Sequence, residues 1–424
     1  MPSFNERLRS GRGQILIVTA LVMPLVLGVT ALVLDLGYLF EYQRKMQAAA
    51  DSAALSAGLE LQRTPSASQT LLETVARADA ALNGFTYNAS TLPITVTKSP
   101  APYTADPNVV KVTISQTKST FFAAVLSSAF ASKMLTVSAI AGLASDAASN
   151  VVVFGVVSNT GVNNLQHALG VTGGAQITIE GSVMVNSSDG AAIDVGGTGS
   201  LLQANSGIAV TGNYSVNNGA AGVSPTPITG VPPVPDPLAY LGAPSNPTGT
   251  VYGDYTFPGV SDTLQPGTYD KITVMNPGHL TFAEGLYIVR DTFKVNDAGV
   301  SIDNSGSGVT FFTTTSKGQI AIQQAQQVTL NAPTSGTWRD ILFYQDRTNN
   351  NAASVKADGA VNLNGVVYMK SAEFTYNGGG GSGGATQYTA FVVNSLKFAG
   401  NSAFIVRDNF GSSGSPLRKV TLLE

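Results

Sequence analysis

The sequence predicts an N-terminal transmembrane helix with a small α+β module, followed by a mainly-β domain that folds as a right-handed parallel β-helix. The first observation is the segment from Ile15 to Leu34, an apolar run without a charged residue. As a helix this run is long enough to cross the apolar core of a bilayer. The second observation is the region after Asn150, where short β-rich runs alternate with Gly, Asn and Asp. A β-sandwich is the alternative for this region, because short strands with frequent turns also suit that fold.

The pattern divides the chain into four predicted parts. They are a cytoplasmic N-terminus over residues 1–14, a transmembrane helix over 15–34, a helical stalk with an α+β module over 35–149, and the β-helix over 150–424. Residues 223–247 hold 8 of the 20 prolines, so we expect them to be extended, as a linker or as an excursion from the β-helix.

The residues on either side of the apolar run indicate whether it is a cleaved signal peptide or a retained anchor, and how it is oriented in the membrane. A cleaved signal peptide has a shorter apolar core that ends at a small-residue cleavage site, whereas this run is longer and is followed by Asp35, which favours a retained anchor. Arg7, Arg9 and Arg12 precede it and predict a cytoplasmic N-terminus, although Arg44 and Lys45 follow on the far side.

The helical period continues beyond the membrane through a stretch of very small side chains. We expect this helix to run to about Thr64, where Pro65 stops it, and a second helix to cover Thr70 to Leu82. Small side chains let another helix approach closely, which predicts a docking face for a partner subunit; high helix propensity alone is the other explanation. The candidate docking residues are Ala50, Asp51, Ala53, Ala54 and Ala57.

Two segments of the chain resemble a known family. Arg12 to Gly58 is similar to the N-terminal module of the TadE/TadG-like proteins of Tad/Flp pilus assembly, and Lys111 to Ser145 resembles the strand, short helix and closing strand that follow in that family. The matching motif residues are Arg12 and Gly13 before the membrane helix, Asp35 and Gly37 after it, and Phe121 and Phe122 in the second segment.

The resemblance implies a bacterial inner-membrane protein with a single span, its bulk in the periplasm or at the cell surface, and other pilus-assembly proteins as partners. Pilin-like members carry a Glu at the fifth position after the cleavage-site glycine. Val18 occupies that position here, which favours an assembly factor over a major pilus subunit.

Within the distal region, a repeat and a period predict the β-helix. "LQPGTY" (Leu264 to Tyr269) is echoed by "FAEGLY" (Phe282 to Tyr287), and one long and two short β-rich runs recur roughly every 20 to 30 residues, as in stacked coils.

Composition narrows the functional classes. Only 12% of residues are charged and the net charge is −3, so nothing indicates a nucleic-acid partner. The absence of cysteine excludes disulfides and thiolate metal sites. His167 and His279 have no neighbouring ligands at metal-site spacing, and we expect neither a metal nor a cofactor.

Two further functions have candidate residues. A polysaccharide-active enzyme would need paired carboxylates, for which the candidates are Asp340, Asp346, Asp358 and Glu373; solvated loop positions are the simpler interpretation, and we expect no catalytic site. A surface adhesin that binds glycans would need exposed aromatic side chains. Its candidates are Trp338, Tyr344, Tyr368, Tyr376 and Tyr388, although packing at strand ends also explains them.

Overall fold

The computed structural model describes residues 4–145, 149–156, 162–217, 221–314, 317–356, 360–378, 386–400, 403–406 and 415–423. The chain divides into two compact units. The first comprises Met1–Ala144 together with Val420–Glu424, and the second comprises Ser145–Lys419. The last residues of the chain therefore belong to the same unit as its N-terminal part.

One continuous helix, α1 (Phe4–Arg63), forms both the predicted membrane span and the predicted stalk. Pro24 lies inside it. Its apolar N-terminal part is exposed along its length and is apolar enough to cross a membrane. The helix ends where Pro65 disfavours helical geometry in the preceding residue, one residue before the predicted end.

A second helix, α2 (Gln69–Leu82), buries Leu72, Ala76 and Ala80 in the core of the first unit. Its N-cap is Ser68, whose hydroxyl oxygen accepts a hydrogen bond from the backbone N–H of Leu71. The helix begins one residue before the predicted start at Thr70, and Ser68 has the extended backbone that a cap requires.

The helices pack on an antiparallel sheet. In chain order its first strands are β1 (Ile94–Lys98), β2 (Val109–Ser119) and β3 (Ser132–Ser145), and each pairs with its neighbour in sequence. A short helix, α3 (Ala123–Leu126), and a 3₁₀ turn (Ser128–Phe130) connect β2 to β3.

The fourth strand of this sheet, Arg418–Leu423, comes from the other end of the chain and lies beside β3. Val420 packs against the core of the first unit. The second unit is therefore inserted in sequence between β3 and this final strand, and the α+β module is complete only when both ends of the chain have folded.

The second unit is mainly β, as predicted, and its strands enclose one long apolar core. Its first strands are β4 (Ser149–Val153), β5 (Leu169–Val171), β6 (Gln176–Ile179), β7 (Ser182–Val185), β8 (Ile193–Gly196), β9 (Leu201–Ala204), β10 (Ile208–Val210), β11 (Tyr214–Asn217), β12 (Gly222–Ser224) and β13 (Ile228–Thr229). After a Pro-rich stretch come β14 (Val251–Thr256), β15 (Val260–Leu264), β16 (Gly267–Val274), β17 (Gly278–Phe282), β18 (Gly285–Val289), β19 (Thr292–Asn296), β20 (Val300–Asn304) and β21 (Val309–Thr313). The remainder are β22 (Gln319–Gln324), β23 (Gln327–Asn331), β24 (Ile341–Gln345), β25 (Ala353–Val355), β26 (Ala360–Gly378), β27 (Thr386–Gly400) and β28 (Ala403–Val406), and we number the final strand β29.

The pairings among the described strands of this unit are parallel, and most join a strand to the third one along the chain. In one series of stacked strands, β18 pairs with β21 and β21 pairs with β24, so Tyr287, Phe311 and Phe343 lie side by side. The result is a closed, barrel-like parallel sheet. A β-sandwich, the alternative expected from the sequence, is built from antiparallel sheets.

The repeated glycines explain the sequence repeat in this unit. Gly267 begins β16 and Gly285 begins β18, both with positive φ, a conformation that glycine adopts without strain. The tyrosine two residues later in each repeat points into the core, and the rings of Tyr269 and Tyr287 stack with centroids 6.1 Å apart. The two copies of the repeat therefore begin two strands, β16 and β18, that pair in parallel.

The strands do not follow one another along the stack in sequence order. β27 pairs with β4, so Phe391 lies beside Val151, and the earliest strands of the unit sit in the middle of the stack. From β4 the stack continues through β7 and β10 to β13, while β14 pairs at the opposite end with β16. The chain must therefore return along the whole stack between β13 and β14.

Residues 230–250, here called the strap, make that return. They include most of the predicted Pro-rich excursion, and Leu238 and Leu241 of the strap are buried on the outer face of the sheet. The strap contacts successive levels of the stack in order: Val231 with Val210, Val234 with Asn186, Leu241 with Tyr344, Asn246 with Arg290, and Thr248 with Thr268.

Candidate functional site

A buried carboxylate ties the end of the apolar run to the loop between β2 and β3. Asp35 is the first residue after the run and only 2% exposed. Its carboxylate accepts hydrogen bonds from the backbone N–H groups of Phe121 (2.8 Å), Phe122 (2.8 Å) and Ala123 (2.6 Å). The first N–H groups of a helix lack partners within that helix, so Asp35 caps α3 from a distant part of the chain.

This contact joins three of the six family-motif residues named from the sequence, namely Asp35, Phe121 and Phe122. Gly37 lies on α1 with open space around the position of a Cβ atom, so no close approach demands a glycine there. Arg12 and Gly13 are helical, but their side chains lie outside the described residues.

Two tyrosines that the sequence did not single out strengthen the same junction. The ring of Tyr38 meets the ring of Phe121 edge to face, with centroids 5.2 Å apart. The hydroxyl of Tyr42 donates to the side-chain oxygen of Gln116 on β2, and the ammonium of Lys118 lies 4.0 Å from the centre of the Tyr42 ring. Tyr38 lies three residues after Asp35 and Tyr42 lies four residues after Tyr38, so all three share one face of α1, and this spacing could have indicated that face.

The junction leaves large apolar side chains in contact with solvent. Phe121, Phe122, Val125 and Phe130 are 65%, 46%, 84% and 60% exposed. Phe122 and Val125 also line an apolar cleft whose other wall is formed by α1 between Leu27 and Leu34. An exposed apolar group of this kind on a folded module usually marks an interaction surface.

The small-residue face of α1 is occupied within the chain. Ala50, Ala53, Ala54 and Ala57 have no exposed surface and pack with α2 and the first three strands. Asp51 at the edge accepts a 2.7 Å hydrogen bond from Nε2 of Gln47, which is itself 3.1 Å from the carbonyl oxygen of Ser138. The expectation that these alanines dock another subunit is therefore wrong, because α2 and the sheet of the same unit already cover them.

Three of the four candidate enzyme carboxylates have a local partner. Asp340 pairs with Arg339 at 3.1 Å and burial raises its pKa. Asp346 accepts from the backbone N–H and the hydroxyl of Thr348. Although burial opposes it, hydrogen bonding and charge from Lys397, 2.6 Å away, lower the pKa of Glu373. Asp358 lies outside the described residues.

The histidines are also separate from one another. His167 has a positive φ in a turn, and Nε2 of His279 lies 2.9 Å from a carboxylate oxygen of Asp303. Within the described ranges no group of three or more His, Asp or Glu side chains is arranged to hold a metal ion.

Three of the four tyrosines proposed for a sugar-stacking patch are buried in the second unit. Tyr344, Tyr368 and Tyr376 are at most 2% exposed, and Tyr344 and Tyr368 stack with centroids 4.7 Å apart. Trp338 packs edge to face on Tyr344, and the side chain of Tyr388 lies outside the described residues. The packing explanation therefore holds for the three buried tyrosines.

Comparison with known proteins identifies the first segment. Residues 13–67 match the family model described as putative Flp pilus-assembly TadE/G-like. The matched segment contains the apolar run, Asp35, Gly37 and the buried alanines, so the resemblance seen in the N-terminal motif is confirmed. No curated protein and no solved structure matches the chain significantly.

Proposed function

We propose, from the TadE/G-like module at residues 13–67, that this protein is a membrane-anchored, non-enzymatic component of Tad/Flp pilus assembly that acts through protein–protein contacts. The observation that carries the proposal is the family match, which covers the apolar helix and Asp35 together. The backbone N–H groups of Phe121 and Phe122 donate hydrogen bonds to Asp35, so motif residues of both sequence segments meet in one junction. This contact also supports the proposal.

Placement in the bacterial inner membrane is part of the proposal. α1 supplies one apolar helix of sufficient length, and the arginines before it favour a cytoplasmic N-terminus. Both folded units then lie on the periplasmic side of the membrane or at the cell surface.

We further infer that the second unit is a right-handed parallel β-helix. Support comes from the parallel pairing of most strands with the third one along the chain and from the single core that these strands enclose. Stacked coils give a long, sparsely charged outer surface, which suits contacts with other pilus-assembly proteins.

The proposal includes no glycan partner and no polysaccharide-cleaving activity. Three of the tyrosines that would stack on sugar rings, Tyr344, Tyr368 and Tyr376, are buried, and the described candidate carboxylates are held by local partners rather than paired with one another.

The test is photo-crosslinking in the native bacterium, together with deletion of the gene. A photoreactive amino acid replaces Phe40, which is 64% exposed on α1, and the matched control is the same variant without irradiation. We expect the deletion strain to lose surface pili, and the Phe40 variant to crosslink to other pilus-assembly proteins only when it is irradiated. Normal piliation in the deletion strain, with no pilus-assembly protein among the crosslinked products, would contradict the proposal.

A further inference from the structure

We propose that the loop between β2 and β3, residues 120–131, inserts its apolar side chains into the same bilayer leaflet that the C-terminal half of the apolar run crosses, giving the protein a second membrane contact. This inference rests on the membrane anchoring in the proposed function. The occupant of the exposed apolar surface is lipid.

The composition of the loop is the first argument. Between Lys118 and Lys133 there is no charged residue, and the loop exposes Phe121, Phe122, Val125 and Phe130 together. Exposing several large apolar side chains to water is unfavourable, whereas burying them in the edge of the acyl region removes that apolar surface from water.

The depth of the loop is the second argument, and it separates lipid from other occupants. Asp35 holds the backbone of Phe121 to Ala123 at the end of the apolar run. Phe122 and Val125 share their cleft with residues as far back as Leu27, eight positions before Asp35 and so about 12 Å further along the helix axis. Because the exposed side of α1 at that depth faces acyl chains, the loop side chains beside it face them too.

The flanking lysines are the third argument. Lys118 and Lys133 are directly opposite each other in the pairing of β2 and β3, immediately before and after the apolar loop. Lysine at the boundary of an apolar segment places its charge among phosphate headgroups while its aliphatic stem stays in the apolar layer. The loop therefore has the charge pattern of a segment that enters a membrane from its surface.

The experiment measures quenching of tryptophan fluorescence by brominated acyl chains, using the full chain in vesicles of phosphatidylethanolamine and phosphatidylglycerol. Trp338 is first replaced by Phe, which removes the single native tryptophan. One tryptophan is then introduced at a time by Val125→Trp or Phe130→Trp in the loop, by Val33→Trp in the apolar run, or by Leu82→Trp at the end of α2. Leu82 is the matched control, because it is an apolar residue of the same unit and 86% exposed.

We expect brominated lipid to quench Val125→Trp, Phe130→Trp and Val33→Trp to a similar extent and to leave Leu82→Trp unchanged. Quenching of Val33→Trp without quenching of either loop variant would overturn the inference while leaving the membrane anchor intact, and would assign the loop surface to another protein or to a second copy of the chain. Absence of quenching at Val33→Trp as well would instead overturn the anchoring on which the inference rests.

Discussion

The hydroxyl of Tyr368 on β26 donates a 2.7 Å hydrogen bond to a carboxylate oxygen of Asp236 in the strap. Asp236 is only 5% exposed, and the same oxygen lies 3.3 Å from the ammonium of Lys370 and 3.6 Å from the guanidinium of Arg347. Arg347 also donates to the carbonyl oxygens of Leu238 and Leu241. A buried polar cluster thus holds the strap to the outer face of the sheet.

This cluster predicts an unequal cost for two arginine substitutions. Arg347→Met should lower the free energy of unfolding by about 2 kcal/mol, because it removes one of the two cations beside the buried Asp236 carboxylate and one donor from each of the Leu238 and Leu241 carbonyl oxygens. Arg290→Met is the control. Arg290 contacts the strap at Asn246 and pairs with Asp270 near the surface, so its loss should cost about 1 kcal/mol or less. Urea unfolding of the full chain in detergent measures the free energy of unfolding of both variants. Equal losses of stability would show that the burial of the Asp236 cluster contributes nothing extra.

The distant cap on α3 predicts a local effect of Asp35→Asn. An amide offers one acceptor oxygen and no charge where two carboxylate oxygens now serve three N–H groups, so the amides of Phe121, Phe122 and Ala123 should exchange with solvent faster, on the order of tenfold. Hydrogen exchange read by mass spectrometry measures this change. In the control Asp51→Asn, a residue that accepts one side-chain hydrogen bond, the exchange of the loop should be unaffected. Unchanged protection of the loop in Asp35→Asn would disprove the cap.

The buried alanines predict a difference between two neighbouring Ala→Leu substitutions. Ala53→Leu should destabilise the first unit by about 1 to 3 kcal/mol, because the extra atoms must enter a filled core between α1, α2 and the sheet. Ala48→Leu, at an exposed position of the same helix, should leave stability within about 0.5 kcal/mol. Thermal unfolding followed by circular dichroism compares them. If Ala53→Leu and Ala48→Leu unfolded at the same temperature, the alanine face of α1 would not be packed in the core of the first unit.

The returning final strand predicts that the first unit depends on the end of the chain. Val420→Asp places a charge against the core of the first unit and should destabilise that unit by about 2 kcal/mol or more. Leu422→Asp is the control, since Leu422 on the same strand is 41% exposed. Limited proteolysis should detect faster cleavage within residues 64–144 for Val420→Asp only. Equal cleavage rates would place the final strand outside the fold of this unit.

The buried tyrosines of the second unit predict a loss of stability at high pH. Burial raises the pKa of Tyr344 to about 12, and it also raises the pKa of Tyr269, Tyr287 and Tyr368. An unfolded tyrosine titrates near pH 10, so the neutral side chains contribute fully below about pH 10. Because the unfolded chain loses these protons first, the contribution is lost progressively as pH rises from the unfolded pKa through the folded pKa.

The measurement is the melting temperature of the full chain between about pH 8 and pH 12, where we expect a decline that begins near pH 10. Tyr344→Phe removes one titrating group and should make the decline shallower. A melting temperature that stays flat through pH 11, or a slope that Tyr344→Phe leaves unchanged, would contradict this account.

Local features were predictable from the sequence because they depend on neighbours in the chain. The apolar run, the helix end before Pro65 and the glycines that begin β16 and β18 each act within a few residues. The motif residues Asp35, Phe121 and Phe122 could be named from the family resemblance, but their contact crosses more than 80 positions and no local pattern encodes it. The two tyrosines that reinforce the contact were missed because a single aromatic on a helix has many possible partners.

The sequence by itself determined that the chain has a membrane-length helix with a TadE/G-like module and that a mainly-β region follows. Only the tertiary structure decided that the alanine face is filled from within, that the final strand returns to the first sheet, and that the Pro-rich strap spans the stack from β13 to β14. The physical reason is that a helix face of small side chains can pack against many different elements, and the backbone of a strand can pair with many different strands. Which partner is chosen depends on packing between distant parts of the chain, such as Asp236 against Tyr368, so no short stretch of the sequence reveals it.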